Sequence, residues 1–129
     1  MPLVRITVAS GLSKETRRAL GDAAHAVLVE VAKAPAEDQF QVVEEVPAEN
    51  LIFSPSYMGI AHRAPIAFVQ VFMNVGRTVE VKQALYAALA AALGVAGGFR
   101  REDVIVNLVE VARENWSFGG GLMSYPPQP

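Results

Sequence analysis

Cysteine is absent from the 129 residues, which excludes disulfides, thiol nucleophiles and thiolate metal sites. Histidine occurs only at His25 and His62, too sparse for a His-rich metal centre. The chain is therefore expected to work without metal or cofactor. Charge of one sign is also lacking. Eleven basic residues face thirteen acidic ones, a net charge of -2, and no basic surface is marked for nucleic acid. No apolar run approaches the roughly 20 residues that cross a bilayer. The first residues lack the basic stretch and apolar segment of a leader. These gaps predict a cytoplasmic protein without a membrane or nucleic-acid partner.

What is present is apolar surface. Hydrophobic residues make up 52% of the chain and charged residues 19%, more apolar than a monomer of this size needs. Such a balance points to surface buried against other subunits. The length suits a single domain over 1–129.

The chain reads as one pattern written twice. "PLVRITV" alternates like a half-buried strand. Ser13 follows as a helix N-cap with Glu15 in the first turn. Leu20, Ala23, Ala24, Val27, Leu28 and Val31 then recur at helical spacing. "KAPAED" breaks the helix and "QFQVVEEV" is a second strand. "PAENLIFSPSYMGIAHRA" is rich in turn formers and reads as loop with room for a short hairpin. The pattern then restarts with strand "PIAFVQVFM". A helix capped by Thr78 follows, with Val81, Leu85, Leu89 and Leu93 on one face. "GVAGGFRRED" breaks it, and "VIVNLVEV" is the last strand. At an offset of 65, Gly11 meets Gly76, Leu20 meets Leu85, Asp38 meets Asp103 and Glu45 meets Glu110. Pro2 meets Pro65 two residues out of phase. The reading is an α+β fold from a duplicated β-α-β unit, with repeats at about 2–46 and 65–111 and a C-terminal segment at 112–129. Right-handed crossovers give a four-stranded sheet with both helices on one face. The other face is left apolar, to be covered by oligomerisation through the sheet.

The chain resembles the tautomerase superfamily, whose β-α-β members use an amino-terminal proline, and within it the malonate semialdehyde decarboxylase group. The resemblance is carried by "MPLVRI", "DAAHAVLVEV", "AEDQFQVV", "GRTVEVKQALY" and "ENWSFGGGLMSY". It implies catalytic roles for Pro2, Asp38 and Arg77, and substrate contacts from Arg77, Asn74, Trp116 and Phe118. It also implies a homotrimer and a small carboxylate substrate. Where some relatives carry two nearby arginines after the third strand, this chain has Asn74 and keeps only Arg77. The helix histidine of the related cis-3-chloroacrylic acid dehalogenases has no match, since Val29 fills its place and His25 lies a turn away.

The residue types suit that chemistry. Once Met1 is removed, Pro2 carries a secondary amine with a reference pKa of about 7.7–8.0. Burial lowers that value and a neighbouring carboxylate raises it, so the amine can serve as base or as acid. A guanidinium beside a helix N-terminus binds a carboxylate. Plainer readings stand beside these. Arg77 can be a solvated arginine, Asp38 a turn cap like Asp103, and Trp116 and Phe118 ordinary core. His25 reads as structural, Arg17, Arg18, Arg100 and Arg101 as solvated charges, and "PPQP" as an extended tail. The favoured expectation is an enzyme for small keto or oxo carboxylic acids, most concretely a malonate semialdehyde decarboxylase with tautomerase or hydratase side activity. A phenylpyruvate-type tautomerase, a dehalogenase-like enzyme and a non-catalytic oligomeric module are the alternatives.

Overall fold

Strand β1 (Leu3–Ala9) leads into helix α1 (Lys14–Val31) and strand β2 (Phe40–Val46) in the computed structural model, which describes residues 2–127. The expectations for Met1 and for the last two residues of "PPQP" lie outside the described residues. A two-residue hairpin follows, β3 (Ser56–Tyr57) and β4 (Ile60–Ala61), as the turn-rich segment suggested. Strand β5 (Ala67–Asn74), helix α2 (Val79–Gly97) and strand β6 (Val104–Val111) complete the second unit.

The helices begin where the caps place them. Ser13 accepts a hydrogen bond from the Thr16 N–H, and Thr78 accepts one from Val81. Both caps satisfy a backbone donor that the first turn would leave bare. Past the helix ends, Lys33 (φ 61°) and Gly98 (φ 77°) take the same left-handed turn, again 65 residues apart.

The sheet order is β2-β1-β5-β6, parallel within each unit and antiparallel across the centre. Leu3 pairs with Phe40 in the first unit, and Phe68 with Ile105 in the second, each shifted by 65. Arg5 pairs with Gln70, also 65 apart, so a local two-fold axis passes through that pair. The ion pair of Arg17 with Glu45 (2.7 Å) recurs as Lys82 with Glu110 (2.8 Å). Arg17 is thus a paired residue and not the solvated charge expected from sequence.

Alternate residues of the inner strands, Val4, Ile6, Val8, Val69, Val71 and Met73, are buried under the helices. Leu20, Leu28, Leu85, Leu89 and Leu93 close the core from above. Burying a side chain of this kind contributes about 1.5–3 kcal/mol before entropy is counted.

Two expectations change. The apolar windows were read as too short to cross a bilayer, yet α2 has 19 residues at a mean hydropathy of 1.3, enough in length and composition. Its Leu85, Leu89, Ala90 and Leu93 are buried, as in the core helix of a two-layer fold. The open sheet face is not wholly apolar either. Leu3, Phe40, Phe72 and Val109 make one apolar row, but the next row runs Val42, Arg5, Gln70, Asn107. Beyond it the Thr7 hydroxyl donates to Glu44 at 2.8 Å.

Candidate active site

The strand directions bring four chain segments to one end of the sheet. There β1 and β2 begin, and β5 and β6 end. Pro2 precedes β1, Asp38 precedes β2, Asn74 and Arg77 follow β5, and Trp116 and Phe118 follow β6. Leu3 faces Phe40 on one side and Phe72 on the other, so the register carried back one step sets Pro2 beside Gln39 and Met73. Pro2 is buried.

Asp38 sits in a tight turn, its N–H bonded to the Pro35 carbonyl at 3.0 Å. It is 2% exposed, and neither carboxylate oxygen has a hydrogen-bond partner among the described residues. Burial raises its pKa above the ordinary carboxyl value. A buried carboxylate without donors is costly and calls for a cation.

Arg77 is held rather than solvated. Gly76, at φ 126°, turns the chain so that Arg77 reaches back to the end of β5. One terminal nitrogen donates to the Asn74 carbonyl and the other to the Ala32 carbonyl, both at 3.1 Å. Two of the five guanidinium N–H groups are thereby used, leaving three for an anion. Thr78, the next residue, opens α2, whose first-turn amides add positive field.

Asn74 is 7% exposed and accepts the Trp116 indole N–H at 2.7 Å. Trp116 stacks on Phe118 at 5.1 Å, and Phe118 lies 5.4 Å from Phe40 and 6.4 Å from Tyr125. Leu3, Phe40, Trp116, Ser117 and Phe118 line a cavity of about 280 Å³. Pro2, Asp38 and Arg77 do not line it, although Leu3 adjoins Pro2. Asn74, Arg77, Trp116 and Phe118 therefore form one connected group, while Pro2 and Asp38 stand at the starts of adjacent strands.

Sequence reasoning missed Phe40, Leu3 and Ser117. It also stopped the repeat at 111, although "ENLIF" (49–53) and "ENWSF" (114–118) continue it at the same offset. Both follow matching single turns, Ala48–Asn50 and Arg113–Asn115. The continued alignment sets Leu51 opposite Trp116, so the indole belongs to the second unit alone.

The second unit also corrects the reading of Asp103 as a turn cap. Asp103 is fully buried and accepts from Arg100 Nε at 2.7 Å and from the Arg63 N–H at 2.9 Å. The Arg100 hydrogen bond leads in holding its pKa below the ordinary value. Arg100 is accordingly a paired residue too. His25 bonds the Ala36 carbonyl at 2.7 Å, in keeping with a structural role.

A duplicated β-α-β unit joined edge to edge, with a buried acid before β2 that has no hydrogen-bond partner among the described residues, defines the class, and sequence comparison agrees. Profiles described as tautomerase enzyme match residues 38–119 and residues 2–60. The chain belongs to the tautomerase family of enzymes. It is 31% identical to the probable tautomerase YusQ of Bacillus subtilis, over 94% of this chain and 95% of that protein. The probable tautomerase YrdN of the same organism is 33% identical, over 94% and 93%. Among solved structures it is similar to FG41 malonate semialdehyde decarboxylase inhibited by 3-bromopropiolate. That likeness has a TM-score of 0.88 and 36% identity, over 95% of this chain and 93% of the other. A fused 4-OT symmetric trimer matches at TM-score 0.79 and 28% identity, over 95% of each chain.

Proposed function

We propose that this chain is an amino-terminal-proline enzyme acting on small oxo carboxylic acids, most concretely by decarboxylating malonate semialdehyde. The observation that carries the reading is Asp38, a buried carboxylate with no partner among the described residues, one strand away from Pro2. A Pro2 ammonium freed of Met1 supplies the missing cation. The similarity to malonate semialdehyde decarboxylase supports the same reading.

In this mechanism the Arg77 guanidinium binds the substrate carboxylate, with the N-terminus of α2 adding to its field. The Pro2 ammonium, kept charged by Asp38, donates a hydrogen bond to the aldehyde oxygen. The bond between the carboxylate carbon and C2 breaks and CO2 leaves. Its electron pair passes into an enolate, whose oxygen the ammonium stabilises. C2 then takes a proton from Pro2, giving acetaldehyde, and solvent restores the proton to the amine. Trp116, Phe118 and Phe40 keep water from the departing carboxylate, whose charge is lost in the transition state. In this role the enzyme is a lyase.

The aromatic wall favours a second reading, a keto-enol tautomerase for aryl keto acids such as phenylpyruvate. There the neutral Pro2 amine moves a proton from carbon to oxygen, and the enzyme is an isomerase. In either case a single bound guanidinium favours a monocarboxylate. The apolar row Leu3, Phe40, Phe72 and Val109 on the open sheet face, with the likeness to a symmetric trimer, supports a homotrimer of about three times 13.8 kDa.

The test combines intact mass with kinetics on malonate semialdehyde and phenylpyruvate. The native protein should lack Met1, and Pro2→Ala should lower kcat/KM by about 10²-fold or more. A retained Met1 would make the nitrogen an amide and end the proposal. The faster substrate separates lyase from isomerase.

A further inference from the structure

Asn74 offers a buried side-chain acceptor to an indole, and the consequence reaches beyond packing. Trp116 is the sole tryptophan of the chain, and its N–H reaches Asn74 Oδ1 at 2.7 Å. The same residue's backbone carbonyl accepts from Arg77. Its two oxygens thus serve two walls of the site, and they do so independently. The carbonyl belongs to β5, where Asn74 pairs with Val111, and any side chain leaves it in place. Among the described residues the side chain's hydrogen bond goes to Trp116.

We infer that Asn74 is a specificity-determining positioning residue, setting the Trp116 ring that receives the substrate's apolar end while leaving carboxylate binding untouched. The inference rests on the proposed use of this site for oxo acids. Stacking on Phe118 fixes the plane of the indole at 12° to its neighbour, but stacked rings slide. The N–H to Oδ1 bond fixes the ring's place within that plane. Without it the indole drifts along Phe118 and the cavity lined by Leu3, Phe40 and Phe118 changes shape. Substrates large enough to touch the ring should feel the change most. Those held mainly by Arg77 and Pro2 should feel it less.

Trp116 fluorescence reads the geometry without any turnover, so the inference stands or falls apart from the reaction assigned to the site. Asn74→Ala should shift the emission maximum of the folded protein, and Asn74→Asp, which keeps an acceptor, should restore it. In kinetics, Asn74→Ala should raise KM for phenylpyruvate by about tenfold, the scale of one lost hydrogen bond. KM for malonate semialdehyde should rise severalfold less, so that the ratio of the two KM values shifts. Trp116→Phe, which keeps a ring but has no N–H, provides the control should Asn74→Ala fold poorly. In that background Asn74→Ser should cause no further change in the ratio of the two KM values. Unchanged emission in Asn74→Ala, an equal rise in both KM values, or additive effects with Trp116→Phe would each overturn the inference.

Discussion

Asp38 and Asp103 occupy the same place in two copies of one unit, and they are held in opposite ways. Each ends a turn closed by a backbone bond to the residue three before, Pro35 in one case and Arg100 in the other. That difference decides much of the rest, and the Arg63 N–H, which has no counterpart in the first unit, adds a second donor to Asp103. Arg100 folds back onto its own turn and bonds Asp103. Pro35 carries no side-chain donor, so Asp38 stays bare among the described residues. One acid contributes to folding. The other has no hydrogen-bond donor among the described residues, and in the proposed mechanism the Pro2 ammonium is its partner. The pKa shifts follow, downward for Asp103 through Arg100 and upward for Asp38 through burial.

The largest effect should come from removing each charge in turn. Asp38→Asn should cut kcat/KM by about 10²-fold or more, while Asp103→Asn leaves chemistry within about threefold in the fraction that folds. Steady-state kinetics against folded concentration makes the comparison, and equal losses would dissolve the distinction drawn between the two acids.

A medium effect should come from making the halves alike. Pro35→Arg gives Asp38 the guanidinium that Asp103 already has. The engineered pair should lower kcat/KM by about tenfold and raise Tm by a few degrees. A variant that is stabilised yet fully active would show that Asp38 need not be unpaired.

The smallest effect is in the pH dependence of stability. Asp103 has a lowered folded pKa, so its contribution is present above the usual 3.8 and lost as pH falls through the lowered value. Asp38 has a raised folded pKa, so the protein loses stability as pH climbs from 3.8 through the raised value. From pH 3 to 7, Asp38→Asn should gain on the parent protein and Asp103→Asn should fall behind it. Urea midpoints along that series provide the measurement, and parallel curves would contradict the assignment.

The duplication was legible because helix spacing, caps and breaks are local and repeat at a constant offset. Ser13 and Thr78, or Gly11 and Gly76, declare themselves in one dimension. Polar pairing is less legible. Arg17 and Glu45 lie 28 residues apart, and only the β-α-β turn brings them together. Of the candidate site, Asp38, Arg77, Trp116 and Phe118 were readable because they belong to motifs. Phe40 was hidden because a strand-leading phenylalanine reads as core until Phe118 is seen to pack against it at a tilt of 42°. Asn74 was read as a substrate contact, and its bond to Trp116 depends on β5 and the segment after β6 ending together.

The local two-fold through Arg5 and Gln70 has a consequence in terms of heredity. Two separate copies of such a unit would each bring an amino terminus, and each could seat a reactive proline. Joining them in one gene leaves a single terminus per pair, whatever the sequence of the second copy. The acid of the second copy therefore has no terminal amine to face, and here it is bonded to Arg100 instead.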